Sequence, residues 1–169
     1  AQRPVEYTRN LGAMPISCSI YREQASINGI STGDSLQKVV SVFGQPSHVS
    51  QAGNSMTYSY HGMEILLTAW GPSQDYTVST ITVNGNSEPK TADGVGVGMS
   101  ETVLSQIYGT ADSVSTERHK APKLSEKDNA EYRNRLDKTV YAYNADECVT
   151  MTFVVKGGII KTIYVHASE

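Results

Sequence analysis

Apolar and polar residues alternate most clearly near the C-terminal end of the chain. Val149, Met151, Phe153 and Val155 are interleaved with Thr150 and Thr152, and Lys156-Gly157-Gly158 offers a tight turn into Ile159. A period of two marks a strand with one buried face. The same pattern predicts strands over about 138–144, 148–155 and 159–166, and less sharply over 55–61, 63–70 and 77–84. Ile16-Ser17-Cys18-Ser19-Ile20 alternates as well and predicts an edge strand. Two stretches switch to the helical period. Val39, Val42 and Phe43 form one stripe after Ser35, a natural N-cap, with Gly44 as the stop and Pro46 barring resumption. Ser100 plays the same part before Val103, Leu104 and Ile107, with Gly109 as the stop. Helices of about eight residues are marginal alone in water, so both must dock on a sheet.

The two helical stretches belong to a longer internal similarity. Gly29-Ile30-Ser31-Thr32-Gly33 returns 65 residues later as Gly94-Val95-Gly96-Val97-Gly98. At that offset Val39 matches Leu104, Val42 matches Ile107, Phe43 matches Tyr108, Gly44 matches Gly109 and Val49 matches Val114. Tyr58-Ser59-Tyr60 then parallels Tyr141-Ala142-Tyr143, and Thr80-Ile81-Thr82-Val83 parallels Thr162-Ile163-Tyr164-Val165, after about eighteen extra residues in the second copy. The expected fold is α+β: two tandem repeats, each a short helix plus an antiparallel β-meander, with the helices packed on an extended antiparallel sheet. Residues 1–28 would be an N-terminal extension with the edge strand, 29–88 the first module, and 89–169 the second, carrying a charged insertion at about 115–138. The turn-rich run Asn84-Gly85-Asn86-Ser87-Glu88-Pro89 would link the modules.

A Gly-x-x-x-Gly segment opening a short helix that closes on Gly, then a Tyr-x-Tyr strand and a Thr-Ile-x-Val strand, all duplicated, resembles the tandem-repeat fold of the β-lactamase inhibitory protein family. A single copy is similar to the small lipoprotein of the outer-membrane β-barrel assembly machinery. The resemblance spans residues 29–166. It implies helices on one face of an antiparallel sheet, with other surfaces holding protein partners.

Composition narrows the function classes. The chain has 169 residues, 14 Lys+Arg against 17 Asp+Glu, and a formal net charge of −3. It lacks the positive field that nonspecific binding to phosphate backbones needs, so nucleic acid is not an expected partner. Polarity comes instead from 19 Ser, 15 Thr and 10 Tyr, in a chain only 18% charged. That composition points to an extracytoplasmic protein, secreted or periplasmic, and the start at Ala1 suggests a trimmed product. No apolar run approaches the roughly 18 residues of a membrane-spanning helix. Cys18 and Cys148 fit neither a zinc ribbon nor a redox C-x-x-C; two thiols and one disulfide remain open readings.

Candidate chemistry is sparse, and no cofactor is expected. Gly33-Asp34-Ser35-Leu36 spells the GDSL-hydrolase signature, but Ile163 stands three residues before His166 where a supporting Asp would be needed, so Ser35 reads as a helix cap. Gly94-Val95-Gly96-Val97-Gly98 lacks dinucleotide-loop spacing. His48, His61, His119 and His166 show no metal-ligand spacing, so no metal site is expected. The pairs Tyr58/Tyr60 and Tyr141/Tyr143 each place two rings on one face and read as structural. With Ile65, Leu67, Ile163 and Val165 inward, Leu66, Trp70 and Tyr164 point the other way. Tyr76 follows Trp70 across a Gly-Pro loop, and these four residues are the candidate protein-binding set. The insertion holds seven of the 14 basic residues and reads as a solvated excursion or a source of steering charge. The expected function is that of a non-catalytic extracytoplasmic protein-binding module. The alternatives are an envelope structural or lipoprotein-like component, or a hydrolase whose residues converge only in three dimensions.

Overall fold

A computed structural model describes residues 20, 24–70, 75–85, 88–117, 138–145 and 149–167. In chain order the elements are α1 (Leu36–Phe43), β1 (His48–Ala52), β2 (Ser55–Tyr60), β3 (Met63–Trp70), β4 (Asp75–Val83), α2 (Thr102–Tyr108), β5 (Ser113–Glu117), β6 (Lys138–Ala145), β7 (Val149–Lys156) and β8 (Ile159–Ala167). All eight strands join one antiparallel sheet in the order β1-β2-β3-β4-β8-β7-β6-β5.

This architecture corrects the expected fold. The described residues form a single eight-stranded antiparallel sheet with two short helices, not two tandem helix-plus-meander repeats; an extended antiparallel sheet was itself expected. The reason lies in the centre of the sheet, where β4 pairs directly with β8: Ile81 lies opposite Val165 and Val83 opposite Ile163. Strand pairing therefore runs unbroken from one edge to the other, and the buried side chains of all parts form one cluster. Other ties cross the chain in the same way. Asn28 N donates to Lys90 O at 2.9 Å, Lys90 N donates to Asn28 Oδ1 at 3.0 Å, and Ile27 bridges Thr91.

The strand count differs too. Both edges, β1 and β5, lie where no strand is expected from the sequence. His48-Val49-Ser50-Gln51-Ala52 is exposed along its whole length, so no buried half imposes an alternation. The N-terminal edge strand expected at 16–20 falls almost wholly outside the described residues; Ile20 itself is buried, and its N–H donates to Asn144 O at 3.4 Å.

One face of the sheet carries the core. Met63, Ile65, Leu67, Ile81, Val83, Met151, Phe153, Ile163 and Val165 are buried there, as the period of two requires. Bulges between Leu66 and Leu67 and between Val154 and Val155 shift the register without turning that face outward. The core is closed by Val39 from α1, by Leu104 and Tyr108 from α2, and by Ile27, Ile30 and Val95 from the segments preceding the helices. Ser35 caps α1 by accepting from Lys38 N at 3.2 Å, an arrangement typically worth about 1 kcal/mol. At α2, Glu101 already has helical dihedral angles and makes no side-chain capping bond, whereas Ser100 Oγ accepts from Thr102 N at 3.4 Å, so the capping side chain is that of Ser100. Val103 N bonds to Ser100 O and Leu104 N to Glu101 O, so the helix enters through a tight three-residue turn. Val42, expected on the apolar stripe, is 42% exposed, because Val39 takes the inward position on this short helix.

Candidate functional site

The two faces of the sheet differ in chemistry. On the inner face the Tyr-x-Tyr pairs are anchors. Tyr60 donates to Gly44 O at 2.9 Å and Tyr143 to Gly109 O at 3.4 Å, so in each case a phenol on the sheet ties down the glycine that ends a helix. Tyr143 also packs with Tyr108 and Phe153, with ring centroids 5.2 and 5.9 Å away. Burial, with smaller contributions from Tyr141 and Asp112, pushes the Tyr143 hydroxyl up to about 12. The Tyr60 hydroxyl is raised by burial and then by Tyr58. Tyr141 donates to Glu101 Oε2 at 3.0 Å; burial, that bond and the Glu101 charge all raise its hydroxyl.

The outer face is built from the other half of each alternation. Strand registers place Ser50, Thr57, Leu66, Thr80, His166, Thr150 and Asn144 opposite one another in a row across seven strands. The next row runs through all eight: His48, Ser59, Glu64, Thr82, Tyr164, Thr152, Ala142 and Ser113. Neither row holds a Lys or Arg, and Glu64 is the single carboxylate. The hydroxyls bond within the sheet: Thr68 Oγ1 meets Ser79 Oγ at 3.2 Å, Ser79 donates to Leu66 O, and Thr150 donates to Asn144 Oδ1 at 3.3 Å. Both described helices and the segments preceding them pack into the core on the inner side.

The four candidate residues separate on this frame. Leu66 in β3 and Tyr164 in β8 are half-buried members of neighbouring outer rows, with β4 between their strands. Tyr76 lies on the inner face, where it packs on the core and its hydroxyl accepts from Gln51 Nε2 at 2.8 Å. It opens β4 and pairs with buried Ala69, whereas the sequence reading places it in a loop. Trp70 ends β3, and its backbone lies opposite Asp75. The Ser/Thr rows were not singled out from the sequence. Their signal was the polar half of the alternation that located the core strands.

The remaining motifs serve the scaffold. Asp34 Oδ2 accepts from Ser31 N at 2.8 Å and from Lys38 Nζ at 3.3 Å, and Ser35 accepts the capping bond, so the GDSL tetrapeptide is engaged in turning the chain into α1. In Gly94-Val95-Gly96-Val97-Gly98, Val95 is fully buried and Gly98 adopts φ 97°, a left-handed conformation that suits glycine. At Gly96 a Cβ would meet only the flexible end of the Lys90 side chain, which can move aside. Among the described residues no group of three or more His, Cys, Asp and Glu is placed to hold a metal ion, and no helix is long and apolar enough to cross a membrane. Cys18, Cys148, His119 and residues 118–137 of the basic insertion lie outside the described residues. Comparisons with protein-family models, with curated proteins and with solved structures find no match.

Proposed function

We propose that this chain is a non-catalytic, extracytoplasmic protein-binding molecule, and that its partner docks on the outer face of the sheet around Leu66 and Tyr164. The observation that carries this reading is the pair of cross-strand rows, which combine hydroxyls, a leucine and a tyrosine with a single carboxylate. Interface centres are depleted of charge, a property these rows share, and Tyr164 supplies an aromatic side chain of the kind interfaces favour. Its size suits the role. Eight strands at about 4.8 Å span roughly 34 Å, and six residues along a strand span roughly 20 Å. The product, on the order of 700 Å², is close to the ~800 Å² that one side of a standard protein interface buries. An extracytoplasmic setting rests on the low charge and high Ser/Thr content of the sequence.

The test is affinity capture from native envelope or culture medium with the unmodified chain and with a Leu66→Asp, Tyr164→Ala variant. Recovery of the captured protein should fall at least about tenfold, as expected when central anchors are lost. The thermal midpoint should move little, because both side chains lie off the core. Undiminished capture by a folded variant would refute the reading.

A further inference from the structure

A second, chemically distinct surface lies on the inner side, beside α2. There the helix, the turn after it, and the inner faces of β5 and β6 enclose a groove of about 480 Å³. Its accessible apolar surface comes from Val114 and Tyr141, beside the hydroxyls of Thr102, Ser105 and Thr110, and Val114 is 54% exposed although it lies on the core-facing side of β5. Among the described residues Glu101 is the one charged residue lining the groove. One oxygen, Oε2, accepts from Tyr141, which fixes the carboxylate over the groove. Among the described residues no cation is paired with it. A partly apolar groove with a fixed carboxylate is complementary to an aliphatic stem bearing a cationic head.

The start of α1 provides an internal contrast. Ser35 bridges Thr77 before α1, as Ser100 bridges Ile159 before α2, and the residue that follows is Leu36 in one case and Glu101 in the other. Leu36 packs on the core. The carboxylate is thus particular to the α2 groove and is not required to build such a helix start.

We infer that this groove binds a lysine- or arginine-bearing peptide segment, with the aliphatic stem on Val114 and Tyr141 and the cationic head on Glu101. The site is separate from the proposed outer-face interface. The probes are two blocked tripeptides, acetyl-Leu-Lys-Leu-amide and acetyl-Leu-Gln-Leu-amide, titrated into the full chain and followed by amide chemical shifts. The lysine peptide should bind about three- to tenfold more tightly, with shifts centred on Leu104, Val114 and Tyr141. That advantage should shrink in high salt, a comparison made on the unmodified protein. Glu101→Gln keeps an acceptor for Tyr141 and should remove the advantage, while Leu66→Asp should leave it intact. Equal affinity for both peptides, a salt-independent difference, shifts centred elsewhere, or no binding up to about 10 mM would overturn the inference.

Discussion

At Tyr143 a single hydroxyl joins the sheet to the end of a helix, and its environment has a consequence for stability. The hydroxyl ionises at about 12 in the folded protein, against about 10 for an ordinary tyrosine. Below pH 10 both folded and unfolded chains keep the proton, so the contribution is fully present. As pH rises from 10 toward 12 the unfolded chain releases its proton first, and stability falls. Over that interval the unmodified protein should lose roughly 1–3 kcal/mol more than Tyr143→Phe, measured by urea unfolding at each pH. An identical alkaline slope for the two proteins would show that Tyr143 is not protected as described. Residues of this kind were partly legible in the sequence. Ser35 could be read as a cap because the capping bond is local, three residues along the chain. Tyr58 and Tyr60 could be placed on one face by parity alone. The targets of the tyrosine hydroxyls could not, because Gly44 and Gly109 come within reach only once each helix folds back onto the sheet.

Among the elements, β4 and β8 carry the account. Each has hydrogen-bonded neighbours on both sides and buried alternate side chains, whereas β1 and β5 have one neighbour each. Amide exchange should follow that order, with Ile81, Val83, Ile163 and Val165 exchanging only on global unfolding and the amides of β1 and β5 exchanging far sooner. Fast exchange along β4 and β8 would break the sheet at its proposed centre. Strands were most readable where a buried half imposes a period of two: β7 shows it with Val149, Met151, Phe153 and Val155. The edges were not readable. Val49 is 47% exposed in β1, and its one apolar position creates no pattern that distinguishes a strand from a loop. The β4–β8 pairing joins segments about eighty residues apart, which local periodicity cannot specify.

Over the whole molecule, two similar stretches of sequence share one sheet and one core. The sequence pointed to one extended antiparallel sheet; what local repetition could not specify is the β4–β8 pairing that makes the two stretches one sheet and one core instead of two modules. Continuity is what creates a candidate site, since Leu66 and Tyr164 become neighbours across β4 only when the sheet runs through its centre. The outer rows were legible as polar positions, but their alignment across the sheet depends on all the strand registers together. The most direct test of the central claim is photocrosslinking. A photoreactive phenylalanine derivative is placed at Leu66, at Tyr164 and, as an inner-side control, at exposed Val42 on α1. The captured partner should crosslink from positions 66 and 164 and not from 42. Crosslinking from 42 alone would place the partner on the helix side and contradict the account.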